Sequence, residues 1–171
     1  MAGILPGLAA ERFDYVVTSV TVTPERRDAY YLSVPIADAT MAVLKRAGDD
    51  SIAAPADMAG KLVGSQAGSA QLAALEGYSE TLGDAPSIST DTDFPEAYAD
   101  LAAGRIDAVV SPTFGAPTYF SWAGRPDADS ASLNALFDAE LQRLIADGTL
   151  ASLQEKWFGG AMNLPSELPA Q

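Results

Sequence analysis

The sequence predicts an α/β protein built on a largely parallel sheet. Strand-like runs at Asp14 to Val22, Met41 to Lys45, Lys61 to Gly64 and Arg105 to Val110 alternate with helical patterns at Ala70 to Glu76, Asp93 to Gly104 and Ala131 to Asp147. The 171 residues are 48% hydrophobic, enough to bury a core as one domain or as two small lobes. No internal repeat stands out.

Composition narrows the chemistry before any motif is weighed. The chain has no Cys and no His, so Cys/His zinc sites, thiol nucleophiles, disulfides and His-based triads are excluded. Carboxylates, hydroxyls, Lys, Arg and Tyr are left, and neither a metal site nor a cofactor is expected. A formal net charge of -13 and a pI near 4.1 would repel phosphate backbones and anionic lipid, so nucleic acid is not an expected partner. Scattered Asp and Glu without an Asp-rich calcium loop serve solubility. No apolar run is long enough to span a bilayer, and Met1-Ala-Gly-Ile-Leu-Pro-Gly-Leu8 lacks the basic start and long apolar core of a signal peptide. Absence of Cys fits an exported protein without proving a compartment.

The most informative run is Asp14-Tyr-Val-Val-Thr-Ser-Val-Thr-Val-Thr-Pro-Glu-Arg-Arg27. Val16, Val17, Val20 and Val22 are β-branched and favour a strand. Thr23 then suits an N-cap, Pro24 the first helical position, and Glu25 the positive end of the helix. The hydroxyls of Ser19 and Thr21 and the guanidinium of Arg26 would meet there as an anion site, since a guanidinium grips a carboxylate with two parallel hydrogen bonds. An ordinary strand-to-helix junction with a solvated Arg has the same local sequence.

The other elements follow in order. Met41 to Lys45 reads as a short strand and Ala47-Gly-Asp-Asp50 as a polar turn. Pro55 to Gly60 is one helical turn, and Lys61 to Gly64 is the next strand. Ser65-Gln-Ala-Gly-Ser69 links it to the helix from Ala70, which places Gly68 and Ser69 at a helix N-terminus; a plain cap at Ser69 is the bland alternative. Asp93 caps the following helix, whose stripe of Phe94, Tyr98 and Leu101 reads as core. Ser111-Pro-Thr-Phe-Gly-Ala-Pro117 carries too much Pro and Gly for regular structure and reads as a turn or connection. Tyr119 to Trp122 forms another short strand. In the longest helix Leu133, Leu136, Phe137, Leu141, Leu144 and Ile145 repeat at helical spacing up to Gly148. A short helix from Leu150 to Trp157 stops at Gly159-Gly160, before a Pro-rich tail.

Five segments in this order resemble the bacterial periplasmic solute-binding proteins of polar amino-acid ABC importers, family 3 type. They are Leu5-Pro-Gly-Leu-Ala-Ala-Glu-Arg-Phe-Asp14, Thr23-Pro-Glu-Arg26, Lys61-Leu-Val-Gly-Ser-Gln-Ala-Gly-Ser69, Leu101-Ala-Ala-Gly-Arg-Ile-Asp-Ala-Val-Val110 and Asp147-Gly-Thr-Leu-Ala-Ser-Leu-Gln-Glu-Lys-Trp-Phe-Gly159. The resemblance implies a two-lobed, type II binding-protein fold, with residues 1–43 and 118–171 in lobe 1, residues 44–117 in lobe 2, and a ligand held in the cleft. It implies a periplasmic protein that delivers a small carboxylate to importer membrane subunits and is not an enzyme. By the same resemblance Arg26 clamps the ligand carboxylate with Ser19 and Thr21 donating, while Gln66, Gly68 and Ser69 cap it from the other lobe.

Three departures qualify this expectation. The family's leading strand-helix-strand unit has no counterpart before Met1, so lobe 1 reads as N-terminally truncated and incomplete. The aspartate that usually binds the ligand ammonium is replaced by Pro112, so that Ser111 and Thr113 would offer neutral hydrogen bonds instead. The stretch after that strand is short, and the family's Phe-Ser-x-Pro-Tyr element survives only as Leu32-Ser-Val-Pro-Ile36. These gaps point to a carboxylate without a primary amine, such as an ectoine-type compatible solute, and to a homodimer that completes the lobe through an open sheet edge. Alternatives are a cyclohexadienyl dehydratase-like enzyme using Asp14, Glu25 or Asp107 as acid or base, a non-binding remnant, and a sensory module.

Overall fold

A computed structural model of the chain describes residues 2–169, except for the side chains of residues 113–117. Six helices and six strands follow in the order α1 (Ile4–Ala9), β1 (Tyr15–Thr21), α2 (Pro24–Ala29), β2 (Tyr31–Leu32), β3 (Ala37–Lys45), β4 (Leu62–Gln66), α3 (Ala70–Ser79), β5 (Ser87–Asp91), α4 (Phe94–Ala102), β6 (Ala108–Gly124), α5 (Ala131–Ala146) and α6 (Thr149–Phe158), with a 3-10 turn at Pro55–Met58. The chain divides into two compact units. One, the inner unit, comprises Met41–Thr113 with Met1–Ala2; the other, the terminal unit, comprises Gly3–Thr40 and Phe114–Gln171. The chain passes from one to the other within β3 and again within β6.

The inner unit is parallel. β4 pairs with β5 in register from Leu62 opposite Ser87 to Gln66 opposite Asp91, and with β6 through Val63 opposite Ala108 and Gly64 opposite Val109. Side chains alternate across these strands, so each face gets its own apolar layer. Ile52, Met58, Val63, Leu75, Ala108 and Val110 pack on the α3 side, and Ala97, Leu101, Ile106 and Val109 with Phe94 pack on the α4 side. Arg46 ties the edge of this unit together, donating to the carbonyls of Leu101 (3.3 Å) and Ile106 (2.5 Å) and pairing with Asp49 at 3.4 Å.

In the terminal unit the pairing is antiparallel, which corrects the expectation of a largely parallel sheet. β1 and β2 both run against β6. Residues Ala37, Ala39 and Phe120 form a buried cluster with Ile36 and Met162. Gln154, only 2% exposed, fastens the C-terminal tail: its amide donates to the Ile36 carbonyl and its oxygen accepts from the Met162 N–H, both at 2.9 Å.

Three further expectations change. Ser111 to Pro117 is no turn, because β6 runs unbroken from Ala108 to Gly124. The residue before a proline is pushed toward extended backbone, so Ser111 before Pro112 fits a strand. On α5, Leu136 is 65% exposed, and the buried positions are Asn134 and Leu141. Asn134 is buried with its amide donating to the Arg125 carbonyl at 2.9 Å, while its Oδ1 has no hydrogen-bond partner among the described residues. On α4, Tyr98 is 38% exposed and Ala97 takes the core position with Leu101.

Candidate functional site

The terminal unit carries the strand-to-helix turn singled out by its residues. Thr23 caps α2, its hydroxyl accepting from the Arg26 N–H at 3.3 Å, with Pro24 at the first helical position. Arg26 reaches back along the strand, and Nη1 donates to the Thr21 carbonyl at 2.9 Å. Burial pulls its guanidinium below the ordinary arginine value, with Tyr30 and Glu25 opposing the shift. It remains charged at neutral pH, because arginine starts so high.

Ser19 and Thr21 do not share an environment. Val16 lies opposite Ala123 and Val20 opposite Ser121, so Val17, Thr18 and Ser19 bulge opposite Trp122 and are all exposed. Thr21 re-enters the ladder and is 4% exposed. A bulge depends on the partner strand, and nothing in the run of alternating Val and Thr announces it.

In the inner unit Gln66, Gly68 and Ser69 form one loop at the carboxyl end of β4. Gly68 has φ +68°, and a Cβ there would lie 2.8 Å from Ala2 Cα, so both conformation and space require glycine. The Ser69 hydroxyl accepts from the Leu72 N–H at 3.0 Å as the cap of α3, and the Gln66 amide donates to the Thr92 carbonyl at 3.2 Å. All three have structural work that matches the bland alternative for this loop, and the loop still presents the N-terminus of a ten-residue helix.

Beyond the paired Gly64 and Val109, the Ser65 hydroxyl donates to the Val110 carbonyl at 2.9 Å, and Ser111 is the next residue along β6. Ser111 is 1% exposed, and its Oγ lies 2.5 Å from the Tyr98 hydroxyl. Sequence reasoning missed Tyr98 because its spacing matched a core stripe. Thr113 lies outside the residues whose side chains are described.

The carboxylates considered for acid or base work are otherwise engaged. Asp14 accepts from Arg125 at 3.0 Å. Asp107 accepts from the Leu62 N–H at 2.9 Å and faces Arg46 at 3.8 Å. Glu25 is held below the usual carboxylate range by its own backbone N–H and by the Thr23 hydroxyl, whereas a general acid needs a raised value. Among the described residues no cluster is arranged to hold a metal, and no helix is long and apolar enough to cross a membrane.

The family model for bacterial extracellular solute-binding proteins, family 3, matches residues 1–160. The chain belongs to this family. Within the family, it is 32% identical to the L-cystine-binding protein TcyJ of Escherichia coli over 92% of this chain and 64% of that protein. It therefore spans somewhat under two thirds of that relative's length. An ancestral arginine-binding protein bound to glutamine superposes with a TM-score of 0.81 at 29% identity, covering 93% of this chain and 77% of the other. The ancestral amino acid-binding protein AncCDT-1, a precursor of cyclohexadienyl dehydratase, gives a TM-score of 0.79 at 27% identity over 92% of this chain and 73% of the other. The α/β fold is thus that of the solute-binding proteins, and the relatives are named for binding rather than for catalysis.

Proposed function

We propose that this chain is the ligand-capturing component of an extracytoplasmic ABC importer, taking a small amino-acid-like carboxylate in the periplasm for delivery to the importer's membrane subunits. The observation that carries this reading is the Arg26 guanidinium, half-buried and aligned by the Thr21 carbonyl beside the capped start of α2. A fork anchored on the Thr21 carbonyl is oriented before the ligand arrives, so less rotamer entropy is lost on binding. The exposed Ser19 hydroxyl and the Thr21 strand end precede this arginine on β1. The Gln66–Gly68–Ser69 loop is a second anion-accepting element. Relatives named for L-cystine and for arginine favour an amino acid over an ectoine-type solute.

Thermal unfolding in the presence of L-cystine, L-arginine, L-glutamine, ectoine and prephenate tests the reading, because a ligand that binds only the folded state raises the melting temperature. An amino acid is expected to shift the wild type and not Arg26→Ala. Equal shifts in both proteins would remove Arg26 from the site; a shift with prephenate alone would favour the dehydratase-like reading that AncCDT-1 keeps in view. A second copy pairing along β1, which ends the strand path, belongs to the same proposal. Sedimentation showing only monomer at high concentration would dispose of it.

A further inference from the structure

Met162 fixes the C-terminal tail to the terminal unit through its sulfur. Sδ accepts the N–H of Asp38 on β3 at 3.3 Å, and the side chain packs against the buried cluster of Ala37, Ala39 and Phe120. Its own N–H is held by the buried Gln154, which also donates to the Ile36 carbonyl. Further along the tail the Gln142 amide donates to the Ser166 carbonyl at 3.2 Å and Arg27 Nη1 to the Pro169 carbonyl at 2.8 Å, both at the surface. Surface hydrogen bonds exchange with water and contribute little net. The packing of Met162 therefore carries much of the tail's attachment.

The same side chain lines an open hollow of about 200 Å³ together with Ile145, Leu150, Ala151 and Gln154. Hydrogen peroxide is little larger than water, whose share of liquid volume is about 30 Å³, so the hollow admits it. The other two methionines among the described residues differ in surroundings. Met58 is 2% exposed and sealed in the core of the inner unit, whereas Met41 is 39% exposed, so that an oxygen added to it is met by water. Met162 is part-buried. It is within reach of a small oxidant and is packed where an added oxygen has a structural consequence.

We propose that Met162 is a methionine-oxidation site whose conversion to the sulfoxide releases the tail, residues 161–169, from β3 and α2. Hydrogen peroxide supplies the oxygen: an S–O bond forms at Sδ as the O–O bond breaks, the sulfur is oxidised by two electrons, and the second peroxide oxygen leaves as water with both protons. The thioether contact with the Asp38 N–H is lost, and a polar, bulkier group now has to fit among Ala37, Ala39 and Phe120, where a close-packed interior has no room to spare. Reduction of the sulfoxide restores the latch.

The test treats wild type, Met162→Leu and Met41→Leu with hydrogen peroxide, reads the oxidised positions by peptide mass spectrometry, and compares thermal unfolding and cleavage after Glu167 by a glutamyl endopeptidase before and after treatment. None of these readouts requires a bound solute. Oxidation at Met162 is expected to lower the melting temperature of wild type by roughly 2 to 4 °C and to speed cleavage after Glu167 roughly tenfold, as for local release of a segment. Met41→Leu should respond as wild type does, and Met162→Leu should keep its melting temperature and its slow cleavage. Treating oxidised wild type with methionine sulfoxide reductase should reverse both changes, and this arm decides the matter if Met162→Leu folds poorly. Met162 remaining a thioether at a dose that fully oxidises Met41 would overturn the inference, as would its oxidation without faster cleavage, or an equal response in Met162→Leu.

Discussion

The Arg26 guanidinium donates from Nη1 to the carbonyl of Thr21, five residues earlier, at 2.9 Å. The bond makes the end of β1 and the start of α2 one rigid corner, and it sets the plane in which the arginine fork lies. A lysine could keep the charge but not the plane.

Arg26→Lys is therefore expected to leave the unliganded melting temperature within about 2 °C of wild type and to cut ligand-induced stabilisation by more than half, as for loss of a bidentate grip. Comparing the two proteins by thermal unfolding with and without the bound amino acid checks this. Full retention of the ligand effect in the lysine variant would mean that a point charge suffices.

Asp138 joins helix α5 to the segment after α2. Its Oδ1 accepts from the Val34 N–H at 2.9 Å, and its Oδ2 accepts from the Tyr31 hydroxyl. Asp138→Ala deletes both bonds and is expected to destabilise the protein by about 2 kcal/mol. For a chain of this size that lowers the melting temperature by roughly 4 to 8 °C. Urea unfolding would measure it, and a loss of a few tenths would show that water replaces the carboxylate.

The Tyr15 hydroxyl is buried and has no hydrogen-bond partner among the described residues, while its ring stacks on Phe137 with centroids 4.2 Å apart. Tyr15→Phe keeps the stacking and removes an unsatisfied group. It should be neutral or stabilising by up to about 1 kcal/mol. A clear destabilisation would point to a bridging water.

Burial raises the Tyr15 and Tyr31 phenols well above their ordinary value, with Asp138 adding to both shifts and its hydrogen bond to that of Tyr31. A folded-state value above the unfolded one means that the stabilisation is complete below the ordinary tyrosine pKa of about 10 and fades as the pH climbs through the folded values. Stability measured by urea unfolding should hold from pH 8 to about 10 and fall above it. A fall that starts well below pH 10 could not come from these two groups.

Gly68→Ala meets two obstacles together, a left-handed backbone and the neighbouring Ala2. A cost of about 1 to 2 kcal/mol is expected from the conformation alone, with a weaker amino-acid response if the loop shifts. Unchanged melting and binding would show that the loop accommodates a Cβ.

Much of the local architecture is legible in the residues themselves. The cap at Thr23 with Pro24, the caps at Ser69 and Asp93, and the left-handed glycines Gly148 and Gly159 that bound α6 depend on chemistry within a few residues, so the chain states them directly. The five ordered segments between Leu5 and Gly159 all fall inside residues 1–160, the span that the family model matches.

What the chain could not state alone depends on partners distant in sequence. Ser87–Asp91 is polar enough to pass for a loop, and only β4 beside it makes it a strand. The bulge that turns Ser19 outward is set by the register with β6. Asn134 rather than Leu136 takes a buried place on α5, where its amide meets the carbonyl of Arg125. Tyr98, written as core by its spacing, becomes a polar contact because β6 runs on past Val110 and brings Ser111 beneath it. Local sequence sets backbone preference residue by residue, but register and hydrogen-bond partnership are pairwise quantities, decided only when strands and helices far apart in the chain meet.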